Sequence, residues 1–269
     1  MAKKRNTKAE QSILNYLAAN QKLSTKDAIS LFHLSESTIR RIFINLEKEK
    51  KAVRTFGGIM AAVPDNYYSY DLTSQKMQKE KALIGNYAAG LIHSSDFIYI
   101  DCGSTTEYLA RAIAQAIQQN VLSGKLNIVT NSLVNLEILN SCCNVILTGG
   151  TMNEERRSLT GSLGISFLSN FHFSKAFLGA DGMTFESGFS SDNIHTSHLS
   201  RAALLQTNYS YVLLDSSKIG CPSYVNYAEL DEVTALITDS RISEPAVKNF
   251  ANHKIQLHIA STANNKQLV

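Results

Sequence analysis

Along the first sixty residues apolar positions recur every three to four places, with residues of capping chemistry between the runs. Ile13, Leu14 and Leu17 fall at helical spacing within residues 8–19, behind Thr7 as a cap. Ser24-Thr25-Lys26-Asp27 starts a second helix in the manner of a capping box, with the shorter Asp in place of Glu, and Ala28, Ile29, Leu31 and Phe32 supply its apolar face. His33-Leu34 extends it little, because Ser35-Glu36-Ser37-Thr38 offers a new N-cap ahead of Ile39, Ile42, Phe43 and Leu46. Three short helices with a tight turn before the last read as a helix-turn-helix. Val53 to Met60 then reads as two short strands around Gly57-Gly58, a wing.

Residues 61–75 combine Pro64, turn residues and three tyrosines, and read as an ordered linker rather than a Gly/Ser tether. From residue 76 the pattern changes. A helical stretch (76–92) leads into continuous apolar runs at Phe97–Asp101, Leu126–Thr130, Asn144–Leu147, Ala176–Leu178, Tyr211–Leu214 and Val233–Ile237, with helical candidates between them at 105–119 and 196–206. Strands without polar alternation are buried on both faces, as in a parallel sheet. The expected fold is α/β, an N-terminal winged helix-turn-helix (1–60), a linker (61–75), an open α/β domain (76–260) and a polar tail (261–269).

Composition agrees with two folded domains: 269 residues, 44% hydrophobic, 18% charged and 3 prolines exclude the disordered and collagen-like classes. No apolar run reaches the roughly 18 residues of a membrane helix, and the first residues are polar rather than a signal segment, so a cytoplasmic protein is expected. Cys102, Cys142, Cys143 and Cys221 fit neither a disulfide framework nor a zinc site, and read as free thiols. Charge adds more once divided. Residues 1–63 carry 12 Lys/Arg against 5 Asp/Glu and the remainder 14 against 18, so the net charge of +3 is a head of +7 on a body of −4. A basic module on an acidic body is the footprint of a nucleic-acid binder with a separate sensing or catalytic part.

In the head, a third helix capped by Ser35 displays Ser37, Thr38, Arg40 and Arg41 over its first two turns. Hydroxyls and helix-start amides suit phosphate, and an arginine can meet guanine in two hydrogen bonds. Arg54 in the wing is placed for a backbone phosphate. Lys48 to Lys51 reads more simply as a solvated charge run.

In the body, small and polar residues gather at the carboxyl ends of the expected strands, where ligands bind in open α/β sheets. These are Asp101-Cys102-Gly103-Ser104-Thr105-Thr106, Thr130-Asn131-Ser132, Thr148-Gly149-Gly150, Gly179-Ala180-Asp181-Gly182 and Asp215-Ser216-Ser217-Lys218. Gly103 permits close backbone approach and Ser104, Thr105 and Thr106 add hydroxyls at a helix start, a phosphate-binding combination. The spacing matches neither a Walker loop nor a dinucleotide fingerprint, which favours a small phosphorylated ligand. Asp101 and Asp181 are candidates for sugar hydroxyls and Lys218 for hydroxyl or phosphate, with Asn131, Ser132, Gly149, Gly150 and Gly182 completing the edge. Arg156-Arg157 reads as a cover over this site or as a solvated pair.

Ser35-Glu36-Ser37-Thr38-Ile39-Arg40-Arg41 with Leu46-Glu47 and Arg54-Thr55-Phe56-Gly57-Gly58 resembles the DNA-binding head of the DeoR-type bacterial regulators of sugar metabolism. The resemblance extends over about residues 8–240 through Lys81, the Asp101 to Thr106 loop, Thr130-Asn131-Ser132, Thr148-Gly149-Gly150, Ser158-Leu159-Thr160-Gly161, Gly179 to Gly182 and Asp215 to Lys218, which look like the family's effector domain, itself similar to ribose-5-phosphate isomerase. The chain departs from the family at Ile42, where an acidic residue commonly follows the paired arginines, and at Ile194 and Thr196, where carboxylates are expected near Asn193. The resemblance implies a repressor of a carbohydrate-utilisation operon whose partners are double-stranded operator DNA and a phosphorylated sugar, with the heads paired in a homodimer or homotetramer. It implies no cofactor, no metal and no membrane partner.

Two other readings stay beside it. An aldose-ketose phosphate isomerase carrying a DNA-binding head would need a carboxylate base and a cation for the enediolate, which Asp101, Asp181 and Lys218 supply; the residues at 194 and 196 count against it. His195 and His198, three apart, read as metal ligands or, more simply, as surface histidines without an acidic or cysteine partner at ligand spacing.

Overall fold

The computed structural model describes residues 9–17, 22–49, 51–55, 57–61, 69–122 and 125–262. The chain divides into two compact units at Tyr67/Tyr68. Thr7, Phe56, residues 62–68 of the linker and residues 263–269 of the tail lie outside the described residues.

In the first unit residues 9–17 form α1, followed by β1 (Lys22–Ser24), α2 (Thr25–Phe32), α3 (Glu36–Lys48), β2 (Ala52–Thr55) and β3 (Gly58–Ala61). Capping chemistry sets the helix starts: the Ser24 hydroxyl accepts from Asp27 N–H and the Ser35 hydroxyl from Thr38 N–H. His33 ends α2 at a φ of 50°, and the left-handed step turns the chain into α3. The two wing strands pair antiparallel. On the other side of β3 lies β1, a strand too short and polar to show in the hydrophobic pattern. Ile13, Leu17, Leu23, Ala28, Ile39, Ile42, Phe43, Leu46, Ala52 and Ile59 close the core. Ile42 is fully buried there, so the family's acidic position is an apolar core position in this chain.

The second unit begins with α4 (Tyr70–Ser74) and α5 (Gln78–Ala89). Alternating elements follow: β4 (Phe97–Ile100), α6 (Ser104–Gln118), β5 (Asn127–Thr130), α7 (Leu133–Leu139) and β6 (Asn144–Leu147). A hairpin of β7 (Thr151–Asn153) and β8 (Ser158–Thr160) leads to α8 (Ser162–Leu168) and β9 (Phe173–Gly179). Next come β10 (Gly182–Thr184), β11 (Gly188–Ser191), α9 (Ile194–Leu205), β12 (Thr207–Leu213), β13 (Val225–Ala228), β14 (Ala235–Asp239), α10 (Glu244–Phe250) and β15 (Gln256–Ala260). Seven strands form one parallel sheet in the order β15-β14-β12-β9-β4-β5-β6. The open α/β fold read from the apolar runs is therefore present, with one strand more than expected.

Period-two alternation builds the two layers of core. Ile98, Ile100, Ile128, Phe177, Leu213 and Ile237 face α5, α6 and α7, while Tyr99, Val129, Ala176, Leu178, Val212 and Leu236 face α8, α9, α10 and a small antiparallel sheet of β10, β11 and β13. Strands β9 and β12 start earlier than their apolar runs, at Phe173 and Thr207. Lys175 causes the gap in β9: it is a buried cation satisfied by Asp96 and reads as polar in sequence. Residues 70–75, read as linker, belong to the second unit, because α4 carries the buried Tyr70. No helix among the described residues is long and apolar enough to cross a membrane.

Candidate effector cleft and nucleic-acid interface

On α3 the residues buried in the head are Ile39, Ile42, Phe43 and Leu46, which leaves the opposite face to Glu36, Ser37, Arg40 and Arg41. Ser35 Oγ lies 3.1 Å from Ser37 Oγ and 2.9 Å from Thr38 Oγ1, a knot of hydroxyls at the positive end of the helix. Arg40 reaches back one turn to Glu36 at 2.7 Å, with both side chains more than half exposed. Arg54 in β2 lies 3.5 Å from Glu47 and is also exposed. Such solvent-exposed pairs are worth little and open readily toward a stronger anion. Arg41 is exposed on the same face.

In the second unit a cleft opens at the carboxyl ends of β4, β9 and β12. Its floor begins where β4 ends. Asp101 is buried, accepts from Ser200 Oγ at 2.7 Å and from Cys102 N–H at 2.8 Å, and lies 3.4 Å from the Tyr99 hydroxyl. Burial pushes its carboxyl above the usual carboxylate range, and the Ser200 and Cys102 hydrogen bonds only partly offset that. The chain then passes through Gly103 into α6, whose first turn, Ser104, Thr105 and Thr106, is buried against the cleft. The first N–H groups of a helix have no intrahelical acceptor, so this turn presents amides and hydroxyls together to an anion.

Across the cleft Asp181 follows β9. It accepts from Ser191 Oγ at 2.9 Å and Asp192 N–H at 3.0 Å, and it pairs with Arg156. Arg156 also pairs with Asp192, and the side chains of Arg156, Asp181 and Asp192 are 5%, 14% and 8% exposed. Burial works against the Asp181 charge, but the Arg156 guanidinium, then Lys218 and the two hydrogen bonds, hold its carboxyl below the usual range. Lys218 enters from the turn after β12 and donates to Ala180 O at 2.8 Å. Behind the cleft, Lys81 of α5 is fully buried and donates to Thr73 O at 2.6 Å. Burial, and then the nearby Lys218 charge, bring it down to about 8.

Of the expected ligand residues, Asp101, Gly103, Ser104, Thr105, Thr106, Asp181 and Lys218 line this cleft. The other five lie outside its lining, for reasons of backbone. Asn131 is buried and donates to Leu159 O at 3.3 Å, and Ser132 caps α7, so both fasten the β7–β8 hairpin and its neighbour. Gly150 seats that hairpin, since a Cβ there, where φ is +136°, would stand 2.3 Å from Thr160 O, whereas a Cβ at Gly149 would meet nothing within 4 Å. At Gly182 a Cβ would stand 2.1 Å from Cys221 O.

Arg156 and Arg157, read together in sequence, separate in the structure. Arg156 is in the cleft, whereas Arg157 is 42% exposed, with its guanidinium carbon 5.7 Å from the centre of the Tyr70 ring. Asp192, which pairs with the cleft residue Arg156, is a carboxylate that sequence reasoning missed; its only signal was its place beside Asn193. Thr196 lines the cleft where the family has a carboxylate, and Ile194 is half exposed. His195 and His198 are exposed, and no cluster of three metal-ligating side chains occurs among the described residues.

Comparison with known proteins places this geometry. Residues 76–240 match the DeoR C terminal sensor domain and residues 10–64 the DeoR-like helix-turn-helix domain. The chain is 32% identical to the HTH-type transcriptional repressor GlcR of Bacillus subtilis (strain 168) over 85% of this chain and 86% of that one. It is 24% identical to the glycerol-3-phosphate regulon repressor of Escherichia coli (strain K12), over 94% and 98% respectively. Among solved structures, ribose 5-phosphate isomerase A of Methanocaldococcus jannaschii is 16% identical over 53% of this chain and 54% of that one, with a TM-score of 0.40.

Proposed function

The chain belongs to the DeoR family, and from that premise we propose that it is a DNA-binding repressor of a carbohydrate-utilisation operon, released from its operator by a phosphorylated sugar. The observation that carries the reading is the cleft: a buried helix start with three hydroxyl residues faces a buried Asp181–Arg156–Asp192 cluster and Lys218. The first suits a phosphate group. The second suits the hydroxyls of a sugar, since carboxylates accept from them and cations donate to them.

Head and cleft work as a linked equilibrium. A ligand that binds the DNA-incompetent arrangement more tightly lowers operator affinity by its differential affinity and no more. The head acts in pairs on half-sites about one helical turn apart, in a homodimer or homotetramer. Relatives named as repressors favour this reading over an aldose-ketose isomerase, and we take the cleft to bind without turning over.

The test is a thermal-shift and DNA-binding series with ribose 5-phosphate, glucose 6-phosphate and fructose 6-phosphate, since preferential binding to the native state raises its melting temperature by mass action. Saturable stabilisation with weakened operator binding supports the reading. Interconversion of aldose and ketose phosphate at enzymatic rates would displace it.

A further inference from the structure

We propose that Tyr70 is the positioning residue through which the effector cleft acts on the DNA-binding head, with the turn Asn153–Ser158 as the arm that reaches it. The proposal rests on the cleft being the effector site. Tyr70 opens α4, just past the boundary between the units, and in sequence only Ser69 and residues 62–68, the latter outside the described residues, separate it from β3. Whatever sets the position of Tyr70 therefore sets where the connecting segment leaves the second unit.

Two arms of the cleft meet on this one side chain. The first is the β7–β8 turn. Its backbone is braced internally, with Arg156 N–H on Asn153 Oδ1 at 3.1 Å and Arg157 N–H on Glu154 O at 3.2 Å. A left-handed φ of 50° at Arg157 sends consecutive arginines opposite ways. Arg156 enters the cleft between Asp181 and Asp192, and Arg157 packs its cation against the Tyr70 ring. From the same turn, Glu155 O accepts Tyr70 N–H at 2.8 Å. A braced turn moves as a unit, so a ligand that draws the Arg156 guanidinium away from either aspartate shifts Glu155 and Arg157, and with them Tyr70.

The second arm is α6. Glu107 follows directly on Ser104, Thr105 and Thr106, and its buried carboxylate accepts from the Tyr70 hydroxyl and from Arg111 Nε at 2.8 Å. Closure of the helix start on a phosphate therefore also pulls on Tyr70. A buried tyrosine needs one partner for its hydroxyl and neighbours for its ring. Here both sets of partners come from elements that line the ligand cleft.

The experiment uses the full chain, a duplex enriched by the wild type from a random library, and the three sugar phosphates above. Ligand affinity is measured on DNA-free protein and operator affinity with and without ligand. Allosteric couplings typically amount to about 5- to 150-fold in affinity, and the wild type should fall in that range for at least one ligand. In Tyr70→Phe/Arg157→Met, which keeps a ring and an aliphatic stem, the ligand-induced change should drop below about 2-fold while ligand affinity stays within about 3-fold of wild type. Arg157→Lys, which keeps the cation, should retain the wild-type response. A double variant that responds like wild type overturns the relay and leaves the effector reading standing, as does one that loses ligand binding together with the response, since Tyr70 would then belong to the cleft itself. If no sugar phosphate alters operator binding by the wild type, the effector reading fails and the relay with it.

Discussion

Arg156→Met removes the cation from between Asp181 and Asp192 and replaces it with a side chain of similar reach and no charge. Both carboxylates then lose the cation they share, at side-chain exposures of 14% and 8%, and Lys218 still acts on Asp181. Breaking a buried ion pair from one side costs about 3–5 kcal/mol. An independent ceiling comes from protonation, because a carboxylate can escape its burial by taking up a proton. At pH 7 that costs about 1.4 kcal/mol for each pH unit above its solution value of 3.8, or about 4 kcal/mol. One proton shared between two adjacent carboxylates relieves most of the repulsion, so the expected loss at pH 7 is about 4 kcal/mol. The pH dependence separates this account from simple loss of packing. In the wild type the Asp181 carboxyl is held low, so its contribution is present above pH 3.8 and is lost as pH falls through its folded value. In the variant the carboxyl is raised, so its penalty is largest at high pH and fades as pH falls. The difference between the two proteins should therefore shrink from about 4 kcal/mol at pH 7 to about 2 kcal/mol at pH 5. Calorimetric melting of the full chain at both pH values reads this difference in the transition of the second unit. A difference that stays the same at pH 5 and pH 7 would refute the electrostatic account of Arg156.

Arg40→Ala or Arg41→Ala should weaken operator binding by about 1–3 kcal/mol and relax sequence preference if that residue reads a base; fluorescence anisotropy showing wild-type affinity for both would remove the recognition-helix assignment. Lys218→Ala should leave operator binding within about 2-fold while weakening sugar-phosphate binding by about 10-fold, the scale of one charged hydrogen bond; an unchanged dose-response curve would take Lys218 out of the site. Gly150→Ala should cost at least about 1–3 kcal/mol from its strained backbone alone, with the Thr160 carbonyl 2.3 Å from the new Cβ adding to it; an unchanged melting temperature would contradict this seating of the hairpin. Whichever of the three sugar phosphates binds should stabilise the protein at concentrations where neither its free sugar nor inorganic phosphate does, and equal stabilisation by phosphate alone would mean that the aspartates take no part.

Local chemistry was legible, and long-range pairing was not. The head could be read almost whole because its signals lie within a few residues: Ser24 and Ser35 cap the helices they precede, and Ile39, Ile42, Phe43 and Leu46 mark one face. Strand β1 escaped because Lys22-Leu23-Ser24 holds one apolar residue and owes its conformation to pairing with β3. Strands β10, β11 and β13 escaped for the same reason, being small or polar segments held by one another. In the cleft, the Asp101 to Thr106 loop was legible because strand end, turn and helix start are contiguous. Arg156 was left open between a cover and a solvated pair because its partners stand 25 and 36 residues away. Asn131 and Gly150 carry the same residue types as the cleft loops but use them to fasten a hairpin, a distinction made only by the backbone that approaches them.

The charge of the cleft then explains how an acidic unit can receive an anion. Asp101 and Asp181 line the cleft and Asp192 pairs with Arg156, so three carboxylates stand against Arg156 and Lys218, and a phosphate seated beside Asp181 would meet net repulsion. At the start of α6 the donors are backbone amides and hydroxyls, which carry no full charge and lie on the opposite wall. A ligand with its phosphate on that wall and its hydroxyls toward Asp181 satisfies both, because each carboxylate can accept from a hydroxyl without surrendering its cation. On the proposed reading, the basic charge of the chain can stay in the head, where phosphates come in rows, while the second unit would distinguish a sugar phosphate from phosphate through hydroxyl contacts that a bare anion cannot make.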